Sequence, residues 1–244
     1  LWFYNTALGS SAAVIGSDTM SDGIYTRGVY ASVYKGRLFI GAASDANGKY
    51  GSRTLWYSQI GDIGRWHTGI AGQTAAPNFK TFDGEGNAIG AVLPLGDSIV
   101  VHRQDSQEVG NATQSLSQPF TFASVQEGGG LRTTEQTYQT NRVVPVGRAH
   151  FMWTLLGLAV FDGSQVRQIG EQWRDALASY DMLYNLQTIL HVAHDQTRKR
   201  IYWFSGQLTR HPDALPATAT VTNAAGSQYQ NYITCFVYDY EHNE

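Results

Sequence analysis

The chain has 244 residues and a formal net charge of −3, from 17 basic and 20 acidic side chains. Only 15% of residues are charged, against about 25% in an average soluble domain, and 26 glycines with many Ser, Thr, Asn and Gln take up the difference. Six Trp, 14 Tyr and 10 Phe exclude a disordered chain, and a pI near 6.2 argues against a dedicated nucleic-acid binder, which carries a basic face.

From the start, Leu1-Trp-Phe-Tyr-Asn lacks Met and the basic flank of a signal peptide, so the chain reads as a piece of something longer. Short apolar or alternating runs then follow one another, separated by turn residues. Residues 28–34 and 37–43 flank Lys35-Gly36, and 53–60 follow the turn-rich 45–48. Residues 88–93 and 97–103 flank Leu95-Gly96, and 141–146 and 149–154 flank Gly147-Arg148. Residues 158–161 and 165–169 flank Asp162-Gly163, the strongest hairpin signal in the chain. The segment 171–190 breaks this pattern: Trp173, Leu177, Tyr180 and Tyr184 fall at helical spacing, which predicts a short helical insertion. Strand-like runs resume at 191–194, 200–204 and 231–238. The glycine- and polar-rich stretches 71–87 and 207–228 read as long exposed loops.

Three hairpins share a pattern of apolar-x-x-Gly-polar followed by an apolar strand. They are Val33-Tyr-Lys-Gly36, Leu93-Pro-Leu-Gly96 and Val144-Pro-Val-Gly147. One further period from Gly147 lands in the turn 196–199. A repeat of about 40–50 residues built from short strands predicts a β-propeller, or a large part of one, with four-stranded antiparallel blades. The expectation is therefore one all-β domain over 1–244. Aromatic-rich runs such as 53–58 and 201–204 fit sheets that bury both faces against neighbours.

No apolar run reaches the roughly 18 residues of a membrane span; the longest, 151–161, is broken by Thr154 and Gly157. Cys235 is the single cysteine, so no disulfide forms within the chain, and its apolar surroundings predict a buried thiol. Among the seven histidines, His191 and His194 are three apart and point to opposite faces of a strand, which does not suit a shared metal. Neither 41–49 nor 84–90 has the spacing of a phosphate-binding loop. Asp62, Asp83, Asp97, Asp162, Asp195 and Asp239 sit near strand ends, where Asp more often accepts backbone N–H bonds than performs acid–base chemistry. No catalytic, cofactor-binding or metal-binding residue is predicted, and no cofactor.

The segments Gly36-Arg-Leu-Phe-Ile-Gly41 and Leu55-Trp-Tyr-Ser-Gln-Ile-Gly-Asp62-Ile-Gly-Arg-Trp66 resemble a recurring signature of phage tail proteins. Gly96-Asp-Ser-Ile-Val-Val101, Gly157-Leu-Ala-Val-Phe-Asp-Gly163 and Phe236-Val-Tyr-Asp-Tyr240 resemble later blades of the same proteins. The family is that of the tail nozzle, or tail tubular protein B, of short-tailed bacteriophages. The resemblance implies a non-enzymatic virion protein in a ring, usually a hexamer, with other tail proteins (adaptor, fibres) as partners and DNA passing transiently through its channel. A near-neutral chain suits a conduit that must not hold phosphates. The alternative is a carbohydrate-binding or carbohydrate-degrading propeller, a tail-associated glycosidase. It needs two carboxylates in one pocket, with aromatic platforms such as Trp56 or Trp203 beside them.

Overall fold

A computed structural model describes residues 2–3, 13–14, 28–43, 51–61, 66–68, 76–84, 88–115, 118–125, 129–131, 142–154, 156–170, 189–209, 220–222 and 228–242. Four antiparallel sheets, each of four strands, follow one another along the chain. The first holds Tyr30–Tyr34, Arg37–Gly41, Thr54–Tyr57 and Phe79–Thr81. The second holds Ile89–Leu95, Ser98–Arg103, Gln107–Ala112 and Phe120–Val125. The third holds Val143–Val146, Ala149–Thr154, Gly157–Phe161 and Val166–Gln168. These three are simple meanders. In the fourth, Ile189–Asp195 pairs with Arg200–Thr209, which pairs with Gln228–Asp239, and the short Thr220–Thr222 lies outside at the edge.

The first three of these sheets open on the same device. A two-residue turn, Lys35-Gly36, Gly96-Asp97 or Gly147-Arg148, joins their first two strands, whereas the four-residue loop 196–199 does so in the fourth. The left-handed backbone at Gly36, Gly96 and Gly147 (φ of 71°, 56° and 60°) matches the right-handed twist of the paired strands, which ordinary turns would splay. The glycine pattern slips by one residue, however. Gly36 is the second residue of its two-residue turn, behind Lys35 at φ 45°, whereas Gly96 and Gly147 come first in theirs.

Side-chain alternation divides each strand between two cores. In the second sheet, Ile99 and Val101 pack on Phe39, Leu55 and Tyr57 of the first, while Val100 packs on Met152, Ala159 and Phe161 of the third. In the third, Phe151 and Trp153 turn the other way, onto Val192, Ile201 and Trp203 of the fourth. The outer face of the first sheet, with Leu38, Ile40 and Trp56, is covered by Trp66 and Phe79. The sheets therefore stack face to face in chain order, their first strands in successive contact. A single barrel or a two-layer sandwich would not give three successive cores of this kind.

Several expectations change. The loop after Phe161 has four residues, 162–165, one more than the expected strand bounds of 161 and 165 leave: the Asp162 carboxylate accepts N–H bonds from Ser164 and Gln165, and this holds it open. The stretch 71–87 is not all exposed loop, since it carries the strands Ala76–Pro77 and Phe79–Thr81 and the buried Asn78 and Phe82. Likewise 207–209 and 220–222 are strand. Most of the expected helical insertion, 171–188, lies outside the described residues; 189–190 open the fourth sheet.

Candidate functional site

Stacked sheets leave hollows where their edges diverge. The larger, about 350 Å³, opens between the turn ends of the second and third sheets. Leu95 and Val109 form its apolar part, with Asp97, Arg148, Asp162 and Ser164 around them. Two hairpin turns and the four-residue loop supply these polar groups, each on a rigid strand end. Asp162 Oδ1 accepts the Ser164 N–H and hydroxyl at 2.8 Å each and the Gln165 N–H at 3.0 Å. The Ser164 backbone bond, followed by its hydroxyl, lowers the Asp162 pKa below the usual carboxylate value. A general acid working near neutral pH requires the opposite shift. Asp162 in this cleft is an ionised turn-former beside an arginine. A smaller hollow of about 160 Å³ lies where the first strands of the first three sheets converge, between 29–31, 90–93 and the Arg142-Val143 pair.

Two polar arrays cross the interior, and both stem from the second sheet. His102 and Arg103 are neighbours on one strand, so their side chains leave opposite faces. Arg103 points towards the first sheet. Its Nη1 donates to Glu108 at 2.9 Å with both side chains buried, its Nη2 donates to the Asp83 carbonyl, and its guanidinium lies 5.3 Å from the Phe82 ring centre. His102 points towards the third sheet. Its Nδ1 lies 2.5 Å from Gln107 Oε1, and its Nε2 lies 2.8 Å from His150 Nδ1. His150 Nε2 in turn lies 3.0 Å from the Pro94 carbonyl. Burial, then the neighbouring His150, pushes His102 well below the usual histidine range; burial, partly opposed by the bond to the Pro94 carbonyl, brings His150 down to about 4. Both imidazoles are neutral at pH 7.

None of these interior groups stands out in the sequence. The available signal was local: a turn after Arg103 sets His102 opposite Gln107 across the hairpin, as the register shows. Gln107–Ala112 is too polar to read as a strand, so that signal went unused. Of the carboxylates near strand ends, Asp162, Asp195 and Asp239 each accept two backbone N–H bonds, as expected of turn-forming Asp. Asp83 and Asp97 receive bonds at their carbonyls, from Arg103 and Tyr34. Asp62 lies outside the described residues. Cys235 is exposed, contrary to expectation, because it falls on the outward-facing register of the fourth sheet, opposite Phe204. Trp56 and Trp203 sit in cores at 2% and 0% exposure, so they offer no stacking platform. His194 Nε2 lies 3.0 Å from the Tyr240 hydroxyl, while His191 meets the Phe204 ring. Among the described residues no group of three or more His, Cys, Asp and Glu is placed to hold a metal, and no helix is long and apolar enough to cross a membrane.

The segments 36–41 and 55–66, which resemble a tail-protein signature, supply a packing element. Leu38, Ile40, Trp56 and Trp66 form one core, and Ser58 stitches it: its hydroxyl accepts the Leu38 N–H at 2.9 Å and its carbonyl accepts Arg37 Nη1 at 2.7 Å. Neither a protein-family model nor a curated protein matches the chain.

Proposed function

We propose that this chain is a structural virion protein of a phage tail, a nozzle or tail-tube component working through protein surfaces. In this reading its sheets form an arc of a β-propeller, and copies assemble into a ring, a hexamer by family resemblance, through which DNA passes. The observation that carries the reading is the role of the signature residues. Leu38, Trp56, Ser58 and Trp66 all serve to seal one flank of the first sheet, as a scaffold motif should. Two further features support it. The first strands of three successive sheets converge on one hollow, the arrangement expected around a propeller axis. The net charge of −3 also suits a wall past which nucleic acid must slide.

Imaging of the native particle that contains the chain tests the proposal. Ring-shaped density with this stack of sheets in its wall is the expected result. A chain that stays monomeric at high concentration would overturn it. Release of reducing ends from host polysaccharide, abolished by Asp97→Asn, would replace it with the glycosidase reading, since Asp97 and Asp162 share the larger cleft.

A further inference from the structure

We propose that His102 and His150 form a buried site for a single shared proton, which makes the junction of the second and third sheets acid-responsive. The inference stands apart from the tail reading, because it follows from hydrogen counting along four groups. Gln107 Oε1 and the Pro94 carbonyl are acceptors, and they close the two ends of the array. Between them lie three short contacts: oxygen to His102, His102 to His150, and His150 to oxygen. Each contact needs one hydrogen. Two neutral imidazoles carry one N–H each, so the neutral array is one hydrogen short.

Turning the Gln107 amide around does not remove the shortage at no cost. Its Nε2 donates to the Gly129 carbonyl at 3.3 Å, so the turned amide would set oxygen against oxygen there. One added proton fills all three contacts, with the middle hydrogen held between His102 Nε2 and His150 Nδ1. A second added proton would force two N–H groups to face each other across 2.8 Å. The site therefore takes one proton and refuses the next, and the pair titrates as a unit.

Among the described residues, the strands packed around the pair add no further titratable group to this face. The strands Ile89–Leu95, Val143–Val146 and Gly157–Phe161 contain no titratable side chain, and on Ala149–Thr154 the one such group is His150. On Ser98–Arg103 and Gln107–Ala112 the other charged residues are Arg103 and Glu108, which face the first sheet and neutralise each other. The Phe161 ring closes the site edge-on to His102, which keeps water off the charge and postpones proton uptake to acid pH.

The test is a titration of the ring nitrogens by long-range proton–nitrogen NMR on the whole chain, for wild type, Gln107→Glu and Gln107→Met. In the wild type His102 and His150 are expected to shift together, through one midpoint, with one proton gained by the pair. Gln107→Glu puts an anion at the end of the array and is expected to tighten proton binding at least about tenfold, while Gln107→Met weakens it. Separate midpoints for the two rings, or no tightening in Gln107→Glu, would overturn the proposal. So would unfolding ahead of ring protonation in both wild type and Gln107→Glu.

Discussion

The guanidinium buried beside Phe82 is neutralised by Glu108 at 2.9 Å, and the Asp83 carbonyl accepts from its second amino group. Removing either side chain leaves the other as a buried charge without its counter-ion. Glu108→Ala is expected to cost about 3–5 kcal/mol in urea unfolding, and the double change Arg103→Met with Glu108→Leu clearly less. The histidine pair makes a pH prediction whose sign is set by burial. Both imidazoles are held below their ordinary value of 6.5, His150 at about 4, so the unfolded chain binds more protons than the fold between those values. The pair's contribution to stability is fully present above about pH 6.5 and falls as pH drops towards 4. Melting temperatures across that range should fall, and less steeply in His150→Gln. Exposed Cys235 should label under native conditions, faster as pH rises past the usual thiol range, since burial pushes its pKa up.

At the scale of the element, the hairpin turn is the recurring unit, and its chemistry can be isolated. No atom lies within 4 Å of where a Cβ on Gly96 would sit, so any penalty there comes from backbone alone. Gly96→Ala is expected to cost about 1–2 kcal/mol by chemical denaturation, and Gly96→Asn less, because Asn tolerates the left-handed region. These turns were legible because glycine and its apolar flanks form a local signal. Gln107–Ala112 was not, for a physical reason. Gln107 and Glu108 are buried by satisfying His102 and Arg103, so the strand keeps polar residues where a pattern of apolar alternation would require hydrophobic ones. The Asp162-Gly163 signal led to a hairpin of the right place but the wrong length, because a side-chain carboxylate had taken over two N–H groups.

For the whole molecule, the three cores between successive sheets determine which substitutions matter. Trp203 and Cys235 lie on adjacent strands of the fourth sheet but on opposite faces, one fully buried against the third sheet and the other exposed. Trp203→Ala should cost about 3–5 kcal/mol, seen as a lower urea midpoint with an unchanged slope. Cys235→Ser should stay within about 0.5 kcal/mol of wild type. By itself the sequence determined that the protein is all-β and where most strands and turns fall, since these follow from composition, turn residues and the short apolar runs between them. Only the tertiary structure decided that His102 meets His150, that Arg103 reaches Asp83, and that Cys235 faces outward. Local periodicity says which residues share a face, but the partner that face meets depends on how separate sheets stack, and that is a property of contacts far apart in the chain.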